Sequence, residues 1–184
     1  MSCGRVGKRA KLLPKKIAIY PGSFDPITHG HVDIIDRVAK LSVFDELIVL
    51  IGINPTKPPR FSLEERIEML EVVTASHSNV TIDRYSGLTA VYAQERGASA
   101  IIRGLREFSD FEYEFQMALT NRQIAPEVDT LFMMANIKYA HLSSTLLMQI
   151  AQMGGNKISD DKLLEMTPPV VVKMLRQKQG KESR

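Results

Sequence analysis

Of the 184 residues one is cysteine, Cys3, so no internal disulfide can form, and a reducing cytoplasm is the expected setting. No apolar run approaches the ~20 residues that cross a bilayer, which excludes a helical membrane span as an expectation. The first residues hold no apolar h-region, so no secretory signal is expected. Residues 1 to 16 also lack acid entirely: Arg5, Lys8, Arg9, Lys11, Lys15 and Lys16 stand unopposed. The last twelve residues are again net basic, which leaves residues 17 to 172 at −7 within a chain of +3. An acidic body with basic ends lacks the one-faced positive footprint of a nucleic-acid-binding domain. No composition shift, low-complexity linker or internal repeat divides the body. One domain is expected over 16–178, between a basic extension at 1–15 and a tail at 179–184.

What the chain does have is a regular alternation of strand-like and helix-like segments. Strands are expected over 16–20, 46–53, 80–85, 99–102 and 130–134. The second is a near-continuous β-rich run, as for a strand buried on both faces. Helices are expected after His31, after Ser62, over 89–96, 110–124 and 143–153, and over 170–177 behind Pro168-Pro169. Ser62 with Glu65 makes a capping box ahead of Ile67, Leu70 and Val73. Phe111, Phe115, Ala118 and Leu119 share one helical face, and the aromatics Phe111, Tyr113 and Phe115 read as core packing. The pattern predicts an α/β fold: a Rossmann-like open sheet of five parallel strands with helices on both faces and right-handed crossovers. Ligand should then bind outside the carboxyl ends of the strands.

The most informative segment falls at the first of those ends: Tyr20-Pro-Gly-Ser-Phe-Asp-Pro-Ile-Thr-His-Gly-His31. A turn between a strand and a helix gathers free backbone N–H groups and the positive end of the helix dipole, which suits a phosphate. Ser23 adds a hydroxyl, Thr28, His29 and His31 add polar groups, and Gly22 and Gly30 permit close approach. This string resembles the first signature of the TxGH/HxGH nucleotidyltransferase superfamily, in its phosphopantetheine adenylyltransferase form. Thr28 stands where many members carry the first His.

Three further loops carry the resemblance. Asn54-Pro-Thr-Lys57 is, on its residues alone, a stiff loop with one solvated lysine; it resembles the family's Asn-Pro-x-Lys motif, which implies that Lys57 binds the acceptor phosphate and the transferring phosphoryl group. Pro58 stands where members often carry a second lysine. Ile102-Arg103-Gly104-Leu105-Arg106 and Asp110-Phe-Glu-Tyr-Glu114 leave two readings open: arginines paired to Glu107 or Glu112, or arginines that clamp polyphosphate oxygens. The string is similar to the signature that marks this subfamily. By that resemblance Arg103 binds acceptor and phosphate, Gly104, Leu105 and Arg106 line the ATP site, and Glu114 contacts the nucleotide. Tyr139-Ala140-His141-Leu142-Ser143-Ser144-Thr145 resembles the second nucleotide motif, although Ser143 alone would be an ordinary helix N-cap. Ala140 and His141 depart from the usual residues, and Met148 occupies the place of an arginine that this subfamily lacks.

Taken residue by residue, the resemblance implies His31, Lys57, Arg103 and Arg106 as catalytic. Ser23, Lys57, Thr89 and Arg103 would hold the acceptor, with Thr89 on the pantetheine arm. Ser23, Phe24 and His31 would join Gly104–Arg106, Glu114 and residues 139–145 around ATP. The implied reaction passes AMP from ATP to 4′-phosphopantetheine, with Mg²⁺ carried on the triphosphate, in a homohexamer subject to coenzyme A inhibition. Two other readings stay open at this point. One is a nicotinate-nucleotide adenylyltransferase, against which residues 102–114 argue; the other is a noncatalytic nucleotide sensor or RNA binder. His29 and His77 show no partner pattern and are expected in solvent.

Overall fold

The computed structural model describes residues 14–53 and 58–182. Five strands form one sheet: β1 (Ile17–Gly22), β2 (Glu46–Gly52), β3 (Val80–Tyr85), β4 (Ala100–Leu105) and β5 (Asp129–Met134). They are parallel throughout, in the order β3-β2-β1-β4-β5. The helices are α1 (His29–Lys40), α2 (Leu63–Thr74), α3 (Thr89–Glu95), α4 (Phe108–Ile124), α5 (Ser144–Gly154), α6 (Asp160–Leu164) and α7 (Pro169–Glu182). The expected architecture is therefore present, with α6 and two 3-10 turns added and α7 continuing past residue 177 to Glu182.

Alternation along the central strands builds two cores. Ala18, Tyr20, Leu47, Val49, Ile51 and Ile102 face a large cluster with α1, α2, α5 and α7. Ile19, Ile48, Leu50 and Ile101 face a smaller one with Ala90, Tyr92 and Ala93 of α3 and Ala125 behind α4. Because both faces of β1 and β2 are covered, the runs Ile17–Tyr20 and Leu47–Ile51 are apolar without interruption. The Ser62 capping box forms as expected: Glu65 N–H donates to Ser62 Oγ at 3.2 Å, and Ser62 N–H donates to Glu65 Oε2 at 2.7 Å.

The sheet opens at its centre. β1 pairs with β2 at six positions but with β4 at two, Ala18↔Ala100 and Ile19↔Ile101. Beyond those pairs the strands part, and this is where the chain order reverses, since β1 leads outward to β2 and β3 before the chain returns to β4. A crevice at such a switch point is the position where open α/β sheets bind ligands.

Two expectations are corrected. α4 is not packed through its aromatics: Phe111, Tyr113, Phe115 and Leu119 are exposed, while Glu114 and Asn121 are its buried polar positions. The Phe rings 111 and 115 stack on each other at 5.6 Å, and Phe111 meets Phe132 edge-on at 5.7 Å. The inward face of α4 is occupied by a polar contact to β4, so its apolar face turns outward. His77 and His29 are not free in solvent either. His77 Nε2 lies 2.7 Å from Asp36 Oδ1, joining the end of α2 to α1, and His29 Nε2 donates to Leu164 O at 2.9 Å.

At the amino end of the sheet, Glu46 is a buried carboxylate with two partners, Lys15 Nζ at 2.7 Å and Thr81 Oγ1 at 2.7 Å. The Lys15 bond pulls its pKa below the ordinary carboxylate range, against the opposing effect of burial, with Thr81 helping. A depressed carboxyl pKa stabilises the fold above the unfolded pKa, and that contribution is lost as pH falls through the folded value. Glu46→Gln should therefore cost about 1 kcal/mol at pH 7, a modest figure because Lys15 is exposed and screened. Urea denaturation of both proteins should show the gap closing as the pH drops below the carboxylate range.

Candidate active site

The crevice is a cleft of about 310 Å³ bounded by the end of β1, the start of α1, the end of β4 and the start of α5. It gathers Ser23, His31, Arg103, Gly104, Arg106 and Leu142 to Thr145 from three separate connections between strand and helix. A smaller chamber of about 110 Å³ shares Ser23, Ser144 and Thr145 with it and runs toward Pro58 and Arg60. On the other side a hollow of about 230 Å³ holds Leu88, Thr89, Tyr113 and Met117, and shares Pro21 and Arg103 with the main cleft. Arg103 is thus the common wall between a polar cleft and a more apolar one.

The geometry of the first loop follows from its sequence. Thr28 is the N-cap residue of α1, and its N–H donates to His31 Nδ1 at 3.0 Å. A backbone N–H can only donate, so Nδ1 is the acceptor and the ring hydrogen sits on Nε2, the nitrogen left for the cleft. Burial, and secondly the charge of Arg106, lower the pKa of His31 from 6.5 to about 4. The imidazole is therefore a neutral donor at physiological pH. Phe24 stands at φ 46° with its ring fully buried, 5.3 Å from His31 and 5.7 Å from Tyr20. Its side chain cannot touch a ligand, so any contact from Phe24 is through the backbone. The missing Cβ of Gly22 serves the same ring, since a Cβ there would lie 2.8 Å from Phe24 Cζ. That glycine accommodates the protein's own aromatic rather than a ligand.

At β4 the two arginines are held differently. Arg103 Nε and the terminal nitrogen Nη2 each donate at 2.6 Å to one oxygen of Glu114, a bidentate pair in which Glu114 is almost buried. Two of its donor groups are engaged there, which fixes the plane of the guanidinium and leaves Nη1 beside the cleft, 3.5 Å from Pro21 O. Arg106 makes its bonds to Asp110, from Nε at 3.1 Å and Nη2 at 3.0 Å, and is half exposed. The partners are Glu114 and Asp110, not Glu107 or Glu112: residues four and eleven positions on lie over the strand end once α4 folds back.

The second motif opens α5. Ser143 Oγ accepts Leu146 N–H at 3.0 Å as an N-cap, and Ser144 Oγ donates to Pro26 O at 2.7 Å, tying this helix to the first loop. Leu105 is buried and offers only backbone. Tyr139 ends the 3-10 turn Ile137–Tyr139, and Ala140 and His141 follow it; none of the three lines the main cleft, and His141 lines another hollow with Lys138 and Lys162. Thr89 lies in the hollow beyond Arg103, at the start of α3, which Tyr92 Oη anchors to Asp83 at 2.6 Å. Lys57 and the rest of Asn54–Lys57 lie outside the described residues.

Two residues of the site escape sequence reasoning. Asp25 accepts the N–H groups of Arg60 and Phe61, each at 2.8 Å, and so joins the first loop to the segment before α2. Arg66 donates to Ser23 O at 3.0 Å. The signal for Arg66 is its phase: it falls on the buried side of α2 with Met69, Leu70 and Thr74, where a charged residue needs a reason. Among the described residues no group of three or more His, Cys, Asp or Glu side chains is placed to hold a metal.

Comparison with known proteins supplies the context for this cleft. A model of the cytidylyltransferase-like family matches residues 19–150. A phosphopantetheine adenylyltransferase of Desulforudis audaxviator is 52% identical over 90% of this chain and 96% of its own length. One from Caldanaerobacter subterraneus is 52% identical over 89% and 97%. Among solved structures, a nicotinic acid mononucleotide adenylyltransferase of Plasmodium falciparum, complexed with NaAD, superposes with a TM-score of 0.64 at 15% identity, covering 89% of this chain and 96% of that one. At that identity the likeness speaks to the fold.

The neutral His31 has a measurable consequence. In the unfolded chain a histidine takes up its proton near pH 6.5, whereas the folded ring resists until about 4. The unfolded state therefore binds the proton first, and stability should fall as pH drops through this window, by up to about 1.4 kcal/mol per pH unit, with no contribution above it. Urea titrations of wild type and the non-titrating His31→Gln between pH 8 and 4 should show this slope in the wild type alone.

Proposed function

Because the chain belongs to the phosphopantetheine adenylyltransferases of the cytidylyltransferase-like family, we propose that its cleft works as follows: it transfers the adenylyl group of ATP to 4′-phosphopantetheine, forming dephospho-coenzyme A and pyrophosphate in coenzyme A biosynthesis. The observation that carries this reading is the position of Arg103, at once on the wall of the polar cleft and on that of the hollow around Thr89. ATP lies in the first and the pantetheine arm in the second, so the acceptor phosphate and the α-phosphorus meet at one guanidinium.

An oxygen of the acceptor phosphate forms the new bond to the α-phosphorus as the bond to the β-phosphate bridging oxygen breaks. The nucleophile is already anionic at neutral pH, so no general base is needed. The work is positioning and stabilisation of charge at the pentacoordinate phosphorus and on the leaving pyrophosphate. His31 Nε2–H, Arg106 and the residues 143–145 hold the triphosphate, with Ser23 and the Phe24 backbone at its turn. Lys57 and Arg103 hold the acceptor phosphate, and Glu114 acts through Arg103. Gly104 and Leu105 contribute backbone, and residues 139–142 lie toward the adenosine. Mg²⁺ enters as part of the substrate MgATP, held by triphosphate oxygens and water, because the donor set of His, Arg, Ser and Thr suits the anion rather than a hard cation.

The setting is the cytoplasm, and no described helix is long and apolar enough to cross a membrane. The assembly is a homohexamer, which the exposed apolar face of α4 supports, together with Leu131 and Met134 of the edge strand β5 and Ile137 in the turn just beyond it. Coenzyme A shares both halves of the product and competes for the same cleft. The acidic body argues against nucleic acid as a partner.

A pyrophosphate-release assay with ATP and a panel of acceptors tests the reading. Turnover is expected with 4′-phosphopantetheine and little with nicotinate mononucleotide or unphosphorylated pantetheine; preference for the mononucleotide would overturn the assignment. In the same assay His31→Ala, checked for folding by circular dichroism, should lower kcat by about 10²-fold, the scale of removing one preorganised donor, while ATP affinity changes little. A near-normal kcat would remove His31 from the chemistry.

A further inference from the structure

Arg66 is 5% exposed and has no part in the chemistry set out above. Its guanidinium has no carboxylate within ion-pair distance among the described residues. Its bonds go instead to two main-chain carbonyls, Ser23 O at 3.0 Å and, from Nε, Ser62 O at 3.4 Å. Burying an unpaired charge is costly, and an apolar residue would suit the inward side of α2 if packing were the whole requirement. The bond to Ser23 O therefore calls for a role in the loop it grips.

The loop explains it. Ser23 lines both the main cleft and the smaller chamber, whereas Arg66 lines only the chamber. The Ser23–Phe24 peptide is trans. In a trans peptide the C=O and the following N–H point in opposite directions, so a carbonyl drawn toward Arg66 turns the Phe24 N–H away from Arg66. Phe24 itself is at φ 46°, a left-handed conformation that a non-glycine residue keeps only when its surroundings impose it. The buried ring imposes it from one side, and Arg66 fixes the peptide plane from the other.

We infer that Arg66 is a positioning residue, which orients the Ser23–Phe24 peptide so that its N–H is presented to the phosphates of bound nucleotide. The inference rests on the cleft being an ATP site and deepens that reading; it does not depend on which acceptor is used. Arg66 lies outside the lining of the main cleft and acts through one backbone donor. Its effect is therefore confined to the part of the ligand that carries phosphate.

Binding of ATP and of adenosine, measured by calorimetry or by competition, separates this from a general structural role. Arg66→Met should weaken ATP by about tenfold, the scale of one charge-assisted hydrogen bond removed or misaligned, and leave adenosine within about twofold. Arg66→Lys keeps a charge on a similar stem without the planar fork, and should give a smaller loss for ATP alone. It also serves as the test variant if Arg66→Met does not fold by circular dichroism. A variant that binds ATP like the wild type, or that loses ATP and adenosine by the same factor, overturns the inference and leaves the proposed function standing. Wild-type protein that binds ATP no more tightly than adenosine would overturn both.

Discussion

The parting of β1 and β4 after two paired positions is the constraint on which the site depends. A fully zipped pair would bring Tyr20 and Ile102 into register and leave no space at the strand ends. Because the pairing stops at Ile19 and Ile101, Arg103 and Ser23 emerge on opposite lips of a crevice, and α1 and α5 can aim their first turns into it. Each lip is then secured by a bond between distant segments: Arg103 to Glu114, Ser144 to Pro26, Arg66 to Ser23.

Charge in this cleft is arranged with few carboxylates free to oppose a polyanion. Glu114 and Asp110 are engaged by Arg103 and Arg106, so each acid orients an arginine without leaving a bare negative charge facing the substrate. His31 is kept neutral by burial and by Arg106, and Thr28 sets its tautomer. Donors already held in place need no reorganisation as negative charge develops, which suits a reaction whose nucleophile is an anion from the start.

The same clamp explains the outward apolar face of α4. Its inward side is given to Glu114 and Asn121, with Glu114 holding Arg103, and hydrophobic residues that a helix would ordinarily bury are left at the surface. An apolar stripe with i, i+4 spacing reads identically whether it packs on its own sheet or on a neighbouring subunit, which is why periodicity alone places Phe111 and Phe115 in the core.

Sequence by itself determined the fold class, the positions of the five strands to within a few residues, the Ser62 capping box and three loops that meet at the cleft, because those rest on local periodicity, turn chemistry and short strings such as residues 20–31 and 102–114. Tertiary structure alone decided which acid grips which arginine, that His31 is neutral with its hydrogen on Nε2, that the Phe24 ring is buried at a positive φ, and that Asp25 and Arg66 brace the first loop. Each of these is a contact between groups far apart in the chain or a choice of one conformation among several that the residue type allows. Such contacts are set by where helices land on the sheet, and the spacing of residues along the chain carries no record of that.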